Sequence, residues 1–146
     1  MLKIVNTKEC PDQFEQYKEA VLDHFMWELG GINWTCGEAA AHAFNFLNMD
    51  NTYYLFDTDN LEDGVVGWAD FYVLPQTIVI NYIIIKEKFR RRGYAAETFK
   101  AINRFAGGSR RMQSFYYNHN KASQALHEKV GFKAVATQMQ LDPNTF

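Results

Sequence analysis

Thr77-Ile-Val-Ile-Asn-Tyr-Ile-Ile-Ile85, followed by Lys86-Glu-Lys-Phe89 and then Arg90-Arg91-Arg92-Gly93-Tyr94-Ala95, is the stretch from which the fold is read. Its first part is almost continuously β-branched, as expected of a strand covered on both faces. The basic hexapeptide then opens a helix over residues 93–106, with Ala95, Phe99, Ile102 and Ala106 on one face and Gly107-Gly108 closing it. A strand that feeds a helix N-terminus has chemical consequences. The first N–H groups of a helix are unpaired and its dipole adds partial positive charge there, so main-chain amides can hold a phosphate. Gly93 leaves room for an anion against the backbone, Ala95 keeps the first turn narrow, and the three arginines supply mobile positive charge. Alone, such a hexapeptide more often reads as a solvated basic turn capping a helix, and its context decides.

Toward the C-terminus the pattern predicts a strand over 112–117, a helix over 120–130 ended by Gly131, and a final strand over 132–141. Toward the N-terminus, Leu2 and Ile4 mark a short first strand. Asp12-Gln-Phe-Glu15 reads as a capping box before a helix whose Phe14, Tyr17, Val21, Phe25 and Leu29 form one apolar stripe. Gly30-Gly31 stops that helix, and a second is expected over 38–47. Strands over 52–56 and 65–73 flank a turn over 57–64. The order is β-α-α-β-β-β-α-β-α-β. It predicts a single α/β (α+β) domain over residues 1–146: a mixed, mostly antiparallel central sheet of six to seven strands, flanked by about four helices.

Composition narrows the function. The 146 residues are 47% apolar, 16% aromatic and 22% charged, with a formal charge of −2, which fits a globular chain. A broad electrostatic grip on nucleic acid or an anionic membrane needs an excess of Lys and Arg that is not there. Cys10 and Cys36 have neither metal-like nor redox-like spacing, so no metal site is expected and a reducing compartment fits best. The first residues, MLKIVNTKEC, carry no signal-peptide core, and no apolar run approaches the ~20 residues of a membrane span. A cytoplasmic protein is the expectation.

Arg90-x-x-Gly93-x-Ala95, directly after a hydrophobic strand and opening a helix, resembles the acyl-CoA pyrophosphate loop of the GNAT superfamily of N-acyltransferases. A second match lies one strand and one helix on. Asn120-Lys-Ala-Ser123-Gln-Ala-Leu126-His127-Glu-Lys129-Val-Gly131-Phe132 is similar to the family's later cofactor motif, in which Asn opens a helix that ends in a Lys-x-Gly-Phe turn. The resemblance implies acetyl-CoA as co-substrate and an amine as acceptor. The strand before the loop would splay from its neighbour and admit the pantetheine arm, with Ile83 and Ile85 where the family bonds it. The main chain from Arg91 through Tyr94 to Ala95 would hold the pyrophosphate, helped by Arg90 and Arg92. Asn120, an N-cap on any reading, would also touch the cofactor arm, close to Ser123.

In the reaction so implied, a neutral amine attacks the thioester directly in a ternary complex. A proton must reach the leaving thiolate and another must leave the amine. Many relatives carry Tyr as the acid where this chain has His127. A histidine can do that work near neutral pH, although half-buried helix histidines more often satisfy a backbone carbonyl. Tyr82, Tyr116 and Tyr117 are substitute donors. No carboxylate lies in residues 76–85, where relatives supply a base, so Asp70 on the preceding strand and Asp23, His24 and Glu28 on the first helix stand as candidates. Trp27, Trp34, Phe44 and Phe46 make the acceptor region aromatic, and Gly30-Gly31-Ile-Asn-Trp34 reads as a tight helix–helix connection in preference to a lid. The expected acceptor is a small-molecule amine or a peptide N-terminus, and the expected state a monomer or homodimer. The rival is a degenerate acyl-CoA-binding sensor or interaction module without turnover, kept open by the missing strand carboxylate and by His127.

Overall fold

The β-branched segment forms β4 (Thr77–Ile85), fourth in a five-stranded sheet whose spatial order follows the chain. β1 (Leu2–Asn6), β2 (Thr52–Asp57), β3 (Val65–Val73) and β4 pair antiparallel in succession, and β5 (Arg111–Gln113) joins β4 in parallel. The computed structural model describes residues 1–47 and 50–145. Its helices are α1 (Phe14–Gly30), α2 (Cys36–Ala43), α3 (Tyr94–Phe105) and α4 (Lys121–Val130). α3 is the crossover that a parallel β4–β5 pair requires. Among the described residues no helix is long and apolar enough to cross a membrane.

Two cores cover the two faces of the sheet. On one, Val66, Phe71, Ile78, Ile80 and Ile85 pack with Phe99, Ala101 and Ile102 of α3. On the other, Tyr54, Val65, Trp68, Tyr82 and Ile84 pack with Tyr17, Val21, Phe25 and Leu29 of α1 and Ala39 and Ala43 of α2. Ile80 and Tyr82 are two residues apart yet serve opposite faces. The cause is a bulge: Asp70 faces Tyr82 and Phe71 faces Ile80, so Asn81 is an extra residue in β4. One inserted residue reverses side-chain parity and bends the strand. Beyond it, β3 and β4 approach closely at Gly67, where any Cβ would collide with the carbonyl oxygen of Ile84.

Three expectations are corrected. The sheet has five strands among the described residues, not six to seven. The strand expected over 112–117 keeps its ladder only to Gln113, and residues 132–141 join no ladder. A strand exists by pairing, and past Gln113 the chain leaves β4 with nothing alongside it. The capping box read at Asp12 and Glu15 is absent. Pro11 starts a 3-10 turn over Pro11–Gln13, and α1 follows with Gln13 as a cap lacking side-chain bonds. The capping box lies instead at Thr35 and Glu38, where Thr35 Oγ1 accepts from the Glu38 N–H at 3.1 Å and Glu38 Oε1 accepts from the Thr35 N–H at 3.0 Å. The second helix therefore begins at Cys36. It ends at Ala43, short of the expected 47, and a 3-10 turn, Phe44–Phe46, closes it.

Candidate functional site

β4 and β5 pair only where Thr77–Val79 meets Arg111–Gln113. From Ile80 onward they diverge, and a cleft of about 1060 Å³ opens between them. Its floor is the upper half of β4; α1 forms one wall, and the start of α3 with α4 forms the other. The Lys86 N–H donates to Val66 O at 2.9 Å, so the main chain of Lys86, and by alternation of Ile84 and Tyr82, is turned to β3. Ile83 and Ile85 consequently direct their peptide groups to the open side. The Ile85 carbonyl there accepts from Arg90 Nε at 3.0 Å.

After β4 the chain makes a 3-10 turn, Glu87–Phe89, and enters the loop in a left-handed conformation at Arg91 (φ 64°) and again at Gly93 (φ 80°). α3 starts at Tyr94, and among the described residues no main-chain acceptor meets the N–H groups of residues 91–96. Successive amides in such a turn form an anion-binding concavity, reinforced by the helix dipole. Gly93 lines the cleft, and a Cβ on it would meet no atom within 4 Å.

The arginines divide their work. Arg90 is tied to Ile85, and the Arg92 guanidinium lies 5.4 Å from the centre of the Phe89 ring and outside the cleft lining. Arg91 lines the cleft with an exposed guanidinium. The Tyr94 hydroxyl is turned away, donating to Asp57 Oδ2 at 2.7 Å. That bond, with Asn60 and the Asp59 N–H, holds the Asp57 carboxyl down at about 2. Only the main-chain side of Tyr94 is left to an anion, as is Ala95, which also lines the cleft.

On the opposite wall, Asn120 caps α4: its Oδ1 accepts from the Ser123 N–H at 3.0 Å, while its Nδ2 donates to Glu28 Oε1 at 3.2 Å. Glu28 is also 3.4 Å from His24 Nε2, so a chain of polar contacts crosses the cleft from α4 to α1. His127, buried between Phe99 and Phe132, uses both ring nitrogens. Its Nδ1 is 2.7 Å from the carbonyl oxygen of Ser123, which can only accept, so the proton sits on Nδ1. Nε2 then accepts from Ser114 Oγ at 2.8 Å. His127 and Ser114 both line the cleft. No periodicity or spacing marks Ser114, because its partner is thirteen residues away on another element.

Tyr82 lines the cleft and is the outer end of a hydroxyl chain. It donates to Tyr17 Oη at 2.7 Å; Tyr17 lies between the Phe46 carbonyl and Thr52 Oγ1, 3.1 Å away; and Thr52 donates to Asp70 Oδ2 at 2.9 Å. Asp70, a candidate base from the sequence, is 2% exposed and not in the cleft lining, so it has no direct access to the cleft. Its other oxygen accepts from Asn81 Nδ2 at 2.7 Å, which places the bulge residue on the carboxylate. Burial pushes the Asp70 carboxyl up, against the pull of Asn81 and Thr52. Burial likewise pushes the Tyr82 phenol well up.

The expected aromatic wall is present in part. Phe25 stacks on Phe46 at 5.0 Å, both edge on to Tyr82, and Trp34 packs edge on to His42 within a tight α1–α2 connection. Trp27 lies 56% exposed at the cleft, whereas Phe44 points to solvent away from it.

The family model for the acetyltransferase (GNAT) domain matches residues 10–133. In fold, the chain is similar to YycN from Bacillus subtilis, with a TM-score of 0.77 and 19% identity over 97% of this chain and 98% of that one. It is similar to the PaiA N-acetyltransferase from Thermoplasma acidophilum in complex with coenzyme A, with a TM-score of 0.71 and 11% identity over 94% and 93% of the two chains. A third likeness is to aminoglycoside N-acetyltransferase AAC(6')-Iy in complex with CoA, with a TM-score of 0.60 and 20% identity over 99% and 94%. At these identities the likeness is one of fold. No curated protein sequence matches the chain.

Proposed function

The chain belongs to the GNAT acetyltransferase family, and from that premise we propose that it transfers an acetyl group from acetyl-CoA to a primary amine, with both substrates in the cleft at once. The observation that carries the reading is the divergence of β4 from β5 directly beside the open amides of residues 91–96. Acetyl-CoA supplies the acyl group, activated as a thioester. The amides from Arg91 to Ala95, with the Arg91 guanidinium, are suited to hold its pyrophosphate. Ile83 offers peptide groups to an amide-bearing arm as a neighbouring strand would. Asn120 and Ser123 shape the far wall, their polar atoms already engaged with Glu28 and His127.

Glu19, Asp23 and Glu28 give the α1 wall negative charge, which draws a cationic acceptor such as a small-molecule amine or a peptide N-terminus. The amine must lose a proton to become nucleophilic. Tyr82 can accept it while passing its own to Tyr17, Tyr17 to Thr52 and Thr52 to Asp70. Tyr82 and Thr52 already donate in that direction, and Tyr17, which donates to the Phe46 carbonyl, turns its proton to Thr52 Oγ1 3.1 Å away. Asp70, held less acidic by burial, ends protonated. On the opposite wall, the Ser114 hydroxyl held on His127 Nε2 can turn its O–H to stabilise the departing thiolate by a hydrogen bond.

The test is calorimetric titration with acetyl-CoA and with CoA, followed by a screen of amines for CoA release. Binding with turnover supports the proposal. Binding without turnover on any amine leaves the acyl-CoA-binding sensor, and absence of binding to either ligand removes both readings.

A further inference from the structure

An amine that arrives as an ammonium gives up two protons from one nitrogen on its way to an amide. The first exposes the lone pair for attack. The second leaves after the N–C bond has formed, from a nitrogen that is then cationic and bonded to a carbon bearing oxygen and sulfur. Those neighbours make it more acidic than the incoming ammonium, so an imidazole is strong enough to take its proton. The route through Tyr82 ends on one carboxylate, Asp70, and accounts for one of the two. The other needs a second acceptor in the cleft.

Two histidines are among the residues lining the cleft, His24 and His127. His127 has both ring nitrogens engaged, by the Ser123 carbonyl and by Ser114 Oγ. His24 does not. Its Nε2 lies 3.4 Å from Glu28 Oε2, one turn on along α1, while among the described residues no hydrogen bond engages its Nδ1. A carboxylate facing Nε2 selects the tautomer with the proton on that nitrogen, which leaves the lone pair on Nδ1. Glu28 is buried and its other oxygen accepts from Asn120 Nδ2 at 3.2 Å, so the carboxylate is held in place. Among the described residues no Lys or Arg pairs with it, and its charge is left for the ring. The His24 side chain, 18% exposed, has its ring 6.1 Å from the Tyr82 ring and edge on to Phe25 at 5.4 Å. Both proton acceptors therefore meet at one stretch of the cleft. The other titratable groups around them are Asp23, exposed in the cleft lining, and Tyr117, which faces Glu28 from before α4.

We propose that His24 is a catalytic residue that takes the second proton, with Glu28 positioning it. Nδ1 receives the proton from the cationic nitrogen of the adduct, and the N–H bonding pair stays on that nitrogen. The oxyanion reforms its carbonyl, and the C–S pair leaves on the thiolate. His24 then passes its proton to solvent, so one proton ends in water and the other remains for the thiol. This step rests on the acetyl-transfer reading.

Steady-state CoA release with an amine that the wild type acetylates, followed across pH, tests it in the full chain beside His24→Gln and His24→Ala, with CoA affinity read by calorimetry. Glutamine keeps a donor toward Glu28 without a base. The expected results are a kcat about 100-fold lower in His24→Gln at unchanged CoA affinity, loss of the wild type's fall in kcat toward acid pH, and partial recovery of His24→Ala by imidazole in solution. Glu28→Gln should lower kcat and keep the acid-side fall. Nitrogen NMR of the ligand-free wild type should place the proton of the neutral His24 ring on Nε2. A proton on Nδ1 overturns the proposal, and so does a loss in His24→Gln without rescue of His24→Ala, which marks a packing role. If an amine turns over and His24→Gln matches the wild type, this proposal alone falls. A wild type that acetylates no amine takes the acetyl-transfer reading and the proposal down together.

Discussion

Replacing Gly93 separates what the backbone needs at that position from what a ligand needs. At φ 80° an ordinary L-residue costs about 1–2 kcal/mol, whereas Asn tolerates the left-handed region. A Cβ there meets no protein atom within 4 Å, so no steric term adds to the backbone cost. Gly93→Ala should therefore lower the melting temperature by roughly 2–8 °C, at about 2–4 °C per kcal/mol for a chain of this size, and Gly93→Asn by much less. Both side chains would project into the cleft beside the amides of residues 91–96. Losing one charge-assisted bond to a phosphate costs about 1.5–3 kcal/mol, which is a rise in the Kd for CoA of roughly 10- to 150-fold. Calorimetric titration with CoA, paired with thermal melts, reads both quantities. The expected signature is Gly93→Asn with near-native stability and weakened binding. If Gly93→Asn binds CoA as the wild type does, the phosphates do not lie against this turn.

The remaining predictions concern proton carriage and packing. Ser114→Ala and His127→Gln should each lower kcat about 100-fold or more while leaving CoA affinity in place, measured by thiol release and calorimetry; equal losses in both would mark a packing role instead. Asp70 has a carboxyl raised by burial, so the native state keeps its proton over a pH range in which the unfolded chain has released it. Its contribution to stability is then present below the ordinary carboxyl range near pH 4 and is lost as pH rises through the raised value. Urea denaturation across the acid range should show that decline in the wild type and not in Asp70→Asn; parallel curves would refute the linkage. Gly67→Ala should destabilise by at least about 1–3 kcal/mol, because its Cβ collides with backbone, not with a movable side chain. A melting temperature like that of the wild type would mean that β3 and β4 can part there.

The hydroxyl chain also explains why a buried acid is tolerated in the centre of the sheet. Both oxygens of the ionised Asp70 accept hydrogen bonds, from Asn81 and Thr52, and a protonated Asp70 can donate to Thr52 Oγ1 in return, so no counter-cation is needed. The bulge at Asn81 is what makes this arrangement possible. It supplies one of the two donors and turns Tyr82 onto the α1 face, where Tyr17 can receive its proton.

Much was legible in the sequence because much of it is local. β-branched residues over 77–85, a glycine where φ must be positive, and an apolar stripe from Phe14 to Leu29 act over a few residues, and they placed β4, the loop and the helices. The spacing from Arg90 to Ala95 and from Asn120 to Phe132 carried the family resemblance. What escaped depends on partners distant in the chain. The sequence could name Asp70, Tyr82 and His127 but not see that Asp70 is buried against the Asn81 bulge of the facing strand, or that His127 Nε2 holds Ser114. It could not divide three adjacent arginines among Ile85, Phe89 and open solvent. Nor could it show that residues 132–141, strand-like in every residue, would find no strand beside them. Periodicity belongs to the chain, whereas a ladder, a buried charge and a shared proton belong to pairs of groups that only the tertiary fold brings together.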